Sequence, residues 1–433
     1  MKLGRSSLVL AAALLAFVSA GQAFAAGEAE KGKTAEPMTL TWVAHPAYSL
    51  TGSDPARVAY IQKIVGEWQK DWPNVKLETN VLSTNAAEAA AKMLEQASQN
   101  RAPDVAQLDG YLMPRYIPYL SSIDDLAKSA GMDTADFFPF ATKVARGADG
   151  KLYGLQFTTD VRVLYYRKDL VSKAPQTWDE LVAVGNGLKA KGLDAFLFPA
   201  GRAEGAPNTS IYPMFWGQGG ELVDAAGKAA FGAGANRDKM LAIFRFYKDL
   251  VASGLSPARV SNYGNEADLN GEIASGKVAM FIGGSWQVAQ LKSIIGEKGL
   301  ANWAVARIPQ KAGAENATSA GGWAWGIFTK DPEKRKAAFD LISRLYVGDA
   351  GMAGWTTVAG YLPTRKSSYK HPAFGRNDYT DDFQAILESD GNVRPAAAVY
   401  PKISTELQVA LSSVVSGSKT PEKALDDAFN AVK

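Results

Sequence analysis

Along the first third of the chain the apolar positions switch repeatedly between an alternating and a helical period. Met38 to Ala44 reads as a strand; Val58, Ile61, Val65, Trp68 and Trp72 then recur every three or four residues, the spacing of one helix face, until Pro73. Val75, Leu77, Thr79 and Val81 alternate again. Asn85 to Asn100 is an Ala-rich helix, and Asp104 to Leu108 a short apolar strand that closes on Asp109-Gly110-Tyr111. This β-α-β order predicts an α/β fold, a mostly parallel sheet flanked by helices, with ligands at the carboxyl ends of the strands. Those ends carry His45, Tyr48, Asn85, Asp109 and Tyr111, the first candidates for ligand contact. Each has an ordinary local role open to it as well: Asn85 is a good helix N-cap, and Asp-Gly is common turn chemistry.

Asp149-Gly150 is a turn signal, Lys151 to Phe157 alternates, and Val161 to Tyr166 is a β-branched and aromatic run. Between the two lies Thr158-Thr159-Asp160. A carboxylate and two hydroxyls between buried strands suit a place where the chain leaves one packed unit and enters another; a polar connection inside one sheet fits equally. Farther on, Thr177 and Glu180 form a capping box, Leu181, Val184 and Leu188 face a core, and Gly192 ends that helix. Leu193 to Phe198 is a strand, Ala267 to Ser275 a helix, Val278 to Ile282 a buried strand, and Gly283-Gly284-Ser285-Trp286-Gln287 the loop after it. Trp303 to Ile308 alternates before Pro309, and Ala320 to Phe328 is a strand entered through Gly321-Gly322. Two helices end the chain, one with Ile403, Leu407, Leu411 and Val414 on a face, one begun by Thr420-Pro421.

Composition narrows the chemistry. With 433 residues, 47% of them hydrophobic and 21% charged, the chain is globular and long enough to favour two domains. Residues 1–25 pair Lys2 and Arg5 with an apolar run from Leu8 to Val18 and a small-x-small site at Ala23-Phe24-Ala25, a secretory signal peptide. Residues 26–37 read as a flexible leader. No cysteine stands at the cleavage site to carry a lipid, so a freely diffusing periplasmic protein is expected. The net charge is only +3, without a basic run, and offers no footprint for nucleic acid. Two histidines and no cysteine leave zinc clusters and Cys-His nucleophiles without ligands, and no cofactor is expected. Gly271 to Lys277 copies the glycine and lysine positions of a phosphate loop, but Val278 replaces the magnesium-binding hydroxyl and the helix precedes the strand, the reverse of the required order.

The aromatic-glycine pair before the polar break, the acid within it, Tyr165-Tyr166-Arg167-Lys168-Asp169-Leu170 and the helix start Thr177-Trp178-Asp179-Glu180-Leu181 resemble the extracellular solute-binding proteins of carbohydrate ABC importers, the class that includes maltose-binding protein. The resemblance runs over nearly the whole chain. It implies a two-lobed fold with a hinge of three crossings, near Thr158 to Asp160, Trp303 to Pro309 and Leu362 to Ser367. One lobe would comprise residues 38–158 and 306–365, the other 159–305 and 366–433. It also implies capture of a sugar or polyol between the lobes, delivery to permease subunits in the inner membrane, no catalysis and a monomer. By the same resemblance Trp286 lies against the ligand, Gly322 and Trp323 face the cleft, Tyr212 and Trp216 belong to a segment where rings stack, and Arg365 sits at the third crossing. Core readings stay open for Trp286 and Tyr212, as does a solvated turn for Arg365. Asp160, the lone acid of the first crossing, is expected to accept ligand hydroxyls. A secreted glycoside hydrolase using Asp109 and Asp160 as paired carboxylates is the alternative.

Overall fold

The computed structural model describes residues 36–83 and 86–433. The signal peptide, most of the leader and Asn85 lie outside the described residues. Among the described residues ten strands enter the sheets: β1 (Met38–Ala44), β2 (Val75–Val81), β3 (Val105–Asp109), β4 (Gly154–Gln156), β5 (Arg162–Arg167), β6 (Met280–Gly284), β7 (Trp303–Ala306), β8 (Thr318–Ser319), β9 (Trp323–Ile327) and β10 (Gly391–Asn392).

Along β1, Leu40, Trp42 and Ala44 point into a core while the residues between them are only partly covered, as the alternation dictates. The helix Pro55–Asp71 follows, begun by Asp54, whose carboxylate accepts from the amides of Ala56 and Arg57, with Pro55 at the first turn. It buries Ile61 and Trp68, and the Trp68 indole donates to the Ala337 carbonyl. The first sheet has the order β2-β1-β3-β9-β4. β2, β1 and β3 are parallel, whereas β9 runs antiparallel to both β3 and β4. The second sheet, β6-β5-β7, is antiparallel, and residues Asp194 and Leu197 bridge in parallel to Val278 and Phe281 beside it. Parallel pairing joins β2, β1 and β3, which helical crossovers connect, and also the short pair β8 and β10; β9, which returns from the other lobe, enters its sheet antiparallel.

Two apolar cores result. One gathers Leu40, Trp42, Trp68, Phe157, Trp325, Tyr346 and Trp355; the other gathers Val161, Tyr165, Phe198, Tyr212, Phe281, Tyr400 and Leu411. The chain passes between them three times. Phe157 belongs to the first core and Val161 to the second, which puts the first passage at Thr158 to Asp160. The second passage differs from the sequence expectation. At Trp303 to Pro309 the chain stays on the second lobe: β7 pairs with β5, Gln310 bridges Thr177, and the Ser319 hydroxyl donates to the Asn208 carbonyl. It crosses only at Gly321-Gly322, between Ala320 in the second core and Ala324 in the first. Alternation marks a strand but not the sheet it joins, and β7 is the edge of the second sheet. The third passage runs from Leu362, which exchanges backbone bonds with Thr159, through Arg365, which bridges Phe137. No helix among the described residues is long and apolar enough to cross a membrane.

Candidate functional site

The three passages lie side by side and are laced together. Thr159 and Leu362 exchange backbone hydrogen bonds of 2.9 and 3.0 Å, and Thr364 Oγ1 donates to the Gln156 carbonyl at 2.5 Å. The Gly321 carbonyl accepts from Gln156 Nε2 at 2.8 Å and from Thr159 Oγ1 at 3.1 Å, while the Gly321 amide donates to Asp160 Oδ1 at 3.0 Å. At Gly322, with φ 133, an added Cβ would stand 1.9 Å from the Thr158 carbonyl oxygen, so only glycine lets the first two passages touch.

Around this hinge the strand ends deliver their side chains. On the first lobe the His45 ring lies 5.5 Å from Trp323 and 6.4 Å from Tyr48, and its backbone amide donates to Gln107 Oε1 at 2.8 Å. Burial lowers the His45 pKa, which favours the neutral imidazole. Trp323 is half-buried, whereas Trp325, two residues on, is core, against Trp42 and Tyr346. Tyr48 is buried under this cluster, stacked on Tyr361, with its hydroxyl unpartnered. A cavity of about 20 Å³ is bounded by His45, Gln107, Asp109, Tyr116 and Trp323 among others, and the Gln107 side-chain nitrogen has no partner.

Asp109, at the end of β3, meets the second lobe directly. Arg394 Nη2 stands 3.3 Å from its Oδ1, Arg394 Nη1 lies 3.1 Å from Glu204 Oε1, and the guanidinium sits 4.2 Å over the Tyr111 ring. Glu204 in turn accepts from the hydroxyls of Tyr400 and Ser404, and Tyr400 packs edge-on against Tyr111 at 5.2 Å. Burial pushes the Asp109 pKa up to about 6; Arg394 opposes the rise, and the charges of Glu204 and Asp160 add to it.

Asp160 is ion-paired with Arg162, whose Nε lies 3.2 Å from Glu266 Oε1, so this guanidinium too is bracketed by two carboxylates. Arg162 is 6% exposed and lies 4.7 Å under the Trp286 ring. Gly283 and Gly284 read as room for a ligand, yet a Cβ on Gly284 would strike the Trp286 ring at 2.1 Å and one on Gly283 would strike Gln287 Oε1 at 2.1 Å. The glycines make way for the protein's own side chains; the Trp286 indole itself remains half-buried.

Five other candidates complete the picture. Tyr212 is fully buried in the second core, 5.5 Å from half-buried Trp216, and its hydroxyl has no partner. Arg365 is not solvated: at 9% exposure it bonds Asp136 at 2.9 Å and lies over Phe137, so its side chain anchors the third passage to the first lobe. Gly322 acts through the hinge, as above. Asn85 falls outside the described residues. The sequence reading missed Arg162, Glu204, Glu266, Arg394 and Tyr400. Arg162 alone left a signal, a cation inside the apolar run of β5, which requires a buried acid.

The model of a family described as bacterial extracellular solute-binding protein matches residues 63–385. A putative binding protein of Brucella abortus is 29% identical over 286 residues, 65% of this chain and 67% of its own length. A lactose-binding protein of Rhizobium radiobacter is 26% identical over 379 residues, 80% of this chain and 84% of its own. The solved structure of the sugar-binding protein MalE from Xanthomonas citri shares the fold, with a TM-score of 0.73 over 91% of this chain and 96% of its own at 24% identity. Two lobes, a laced hinge and a family match across most of the sequence agree: this chain belongs to the bacterial extracellular solute-binding proteins.

Proposed function

We propose that this protein captures a sugar, a mono- or oligosaccharide or a polyol, between its lobes in the periplasm and delivers it to the permease of an ABC importer, acting as a monomer without a cofactor. The observation that carries this reading is the pairing, where the lobes meet, of half-buried ring faces with bracketed charges. His45, Trp323 and Tyr111 stand beside Asp109, Arg394 and Glu204 on one side; Trp286 stands beside Asp160 and Arg162 on the other. Ring faces suit the apolar C–H faces of a sugar, and oriented carboxylates and guanidinia suit its hydroxyls, which are costly to bury unpaired. Relatives and fold neighbours named for lactose and sugar binding support it.

A hydrolase would need Asp109 and Asp160 as a free pair, but Asp160 is engaged by Arg162 and the Gly321 amide. Binding therefore accounts for the acids better than catalysis. A thermal-shift screen against a carbohydrate panel tests the reading: a ligand at a hundred times its dissociation constant adds about 2.7 kcal/mol of stability. A panel without a response removes sugars from the site, and new reducing ends after incubation with oligosaccharides would restore the hydrolase.

A further inference from the structure

We propose, on the sugar-binding reading above, that Arg394 is an internal occupant of the site, resting on the carboxylate and ring face that a solute takes over, so that capture is an exchange against this side chain. Arg394 belongs to the second lobe. Its loop follows β10, whose Asn392 carbonyl accepts from the Ala320 amide at 2.7 Å, one residue before the second passage. Its guanidinium nonetheless covers two groups of the first lobe: the Asp109 carboxylate at 3.3 Å and the Tyr111 ring at 4.2 Å. A planar guanidinium stacked on an aromatic face while donating to a carboxylate makes the contacts a sugar ring makes with its C–H face and a hydroxyl. One platform cannot carry both.

The arrangement also provides for release. Glu204, on the same lobe as Arg394, is held by the Tyr400 and Ser404 hydroxyls and keeps its own 3.1 Å contact. Arg394 can therefore leave Asp109 and Tyr111 without becoming an unpaired charge, and the buried Asp109 carboxylate that it leaves takes a solute hydroxyl in exchange. Letting go also breaks the one ion pair that joins Asp109 of the first lobe to the second, so the same exchange bears on opening.

Arg394→Gln tests this, because it removes the charge and the planar fork at similar length. In the ligand-free protein the radius of gyration by small-angle scattering should exceed that of the wild type. Lactose and maltose, titrated calorimetrically, should bind about three- to tenfold more tightly to the variant wherever the wild type binds them, because the competent fraction is larger. An unchanged ligand-free radius, or weaker sugar binding by a variant that melts normally, overturns the proposal and makes Arg394 a direct ligand contact or a bystander. Should Arg394→Gln fail to fold, Arg394→Lys, which cannot lie flat on Tyr111, is read in the same way. The scattering comparison needs no ligand, so an unchanged radius overturns the proposal even if neither sugar binds, whereas the absence of sugar binding to either protein counts against the sugar reading instead.

Discussion

Asp109 carries its charge at a cost, and the sign of that cost fixes a pH dependence. Its folded pKa is pushed up to about 6 by burial, above the roughly 3.9 of an exposed aspartate in an unfolded chain. Between those values the folded state binds the proton and the unfolded state does not. Stability contributed by this group is therefore full below about pH 4, falls as pH rises to 6 and stays lost above, by up to about 3 kcal/mol. Asp109→Asn keeps the shape without the charge, so it should melt above the wild type at pH 7.5 and converge with it near pH 4. Parallel melting curves across that range would mean that Arg394 balances the charge fully. Trp286 poses a different question, because its indole rests on Arg162 with part of its surface open. Truncated aromatic anchors cost binding about 2 kcal/mol or more, so Trp286→Ala should raise the dissociation constant for the bound sugar roughly thirty-fold. The ligand-free melt should hardly move. A loss near 3–5 kcal/mol of folding stability, the size expected for a core tryptophan, would assign the ring to the core instead.

Among the elements, the hinge is specified by glycine and hydroxyl positions rather than by apolar mass. Gly322→Ala would drive a methyl group into the Thr158 carbonyl at a φ that L-residues rarely adopt, so a drop in melting temperature is expected, with the passages forced apart. Gly187→Ala is the control. It lies on the exposed side of the helix Trp178–Lys189 with nothing near its Cβ position, and should gain about 0.5–1 kcal/mol. Equal effects at both positions would show that the hinge contact is slack. The contrast also shows which parts of the fold are legible in a sequence. The opening β-α-β unit is, because Ile61 and Trp68 repeat on one face while Leu40, Trp42 and Ala44 alternate. So is the capping box at Thr177, whose hydroxyl and Glu180 carboxylate bond as the spacing requires. Partnership is not. Arg394 meets Asp109 across 285 positions from a loop without periodicity, and β7 gives no local sign of which sheet it joins. Gly283 and Gly284 show the limit most plainly, since a missing Cβ marks a close approach but not the identity of what approaches.

For the molecule as a whole the question is how far the lobes separate, and the same contacts bound the answer. The tie between lobes at Asp109 and Arg394 is a hydrogen-bonded ion pair of a kind worth about 1.5–3 kcal/mol, but burial outweighs it at Asp109, whose pKa stays raised with Arg394 in place. A tie that weak does little to hold the lobes together, so the expectation for the ligand-free protein is a nearly balanced pair of open and closed arrangements. Moving a two-state equilibrium between extremes of 1:99 and 99:1 takes about 5.5 kcal/mol of differential binding, whereas a balanced one needs roughly half of that to close almost completely. A sugar that contacts both lobes supplies such a difference only in the closed arrangement, and the laced passages at Thr159, Gly321 and Leu362 give the motion a fixed axis. Saturating sugar should therefore lower the radius of gyration of the wild-type protein and narrow its distance distribution, and the change should be larger for Arg394→Gln, which starts more open. Identical radii with and without sugar in both proteins would mean that the solute enters a pocket whose walls stay fixed, and the hinge would then be a structural joint rather than a moving part.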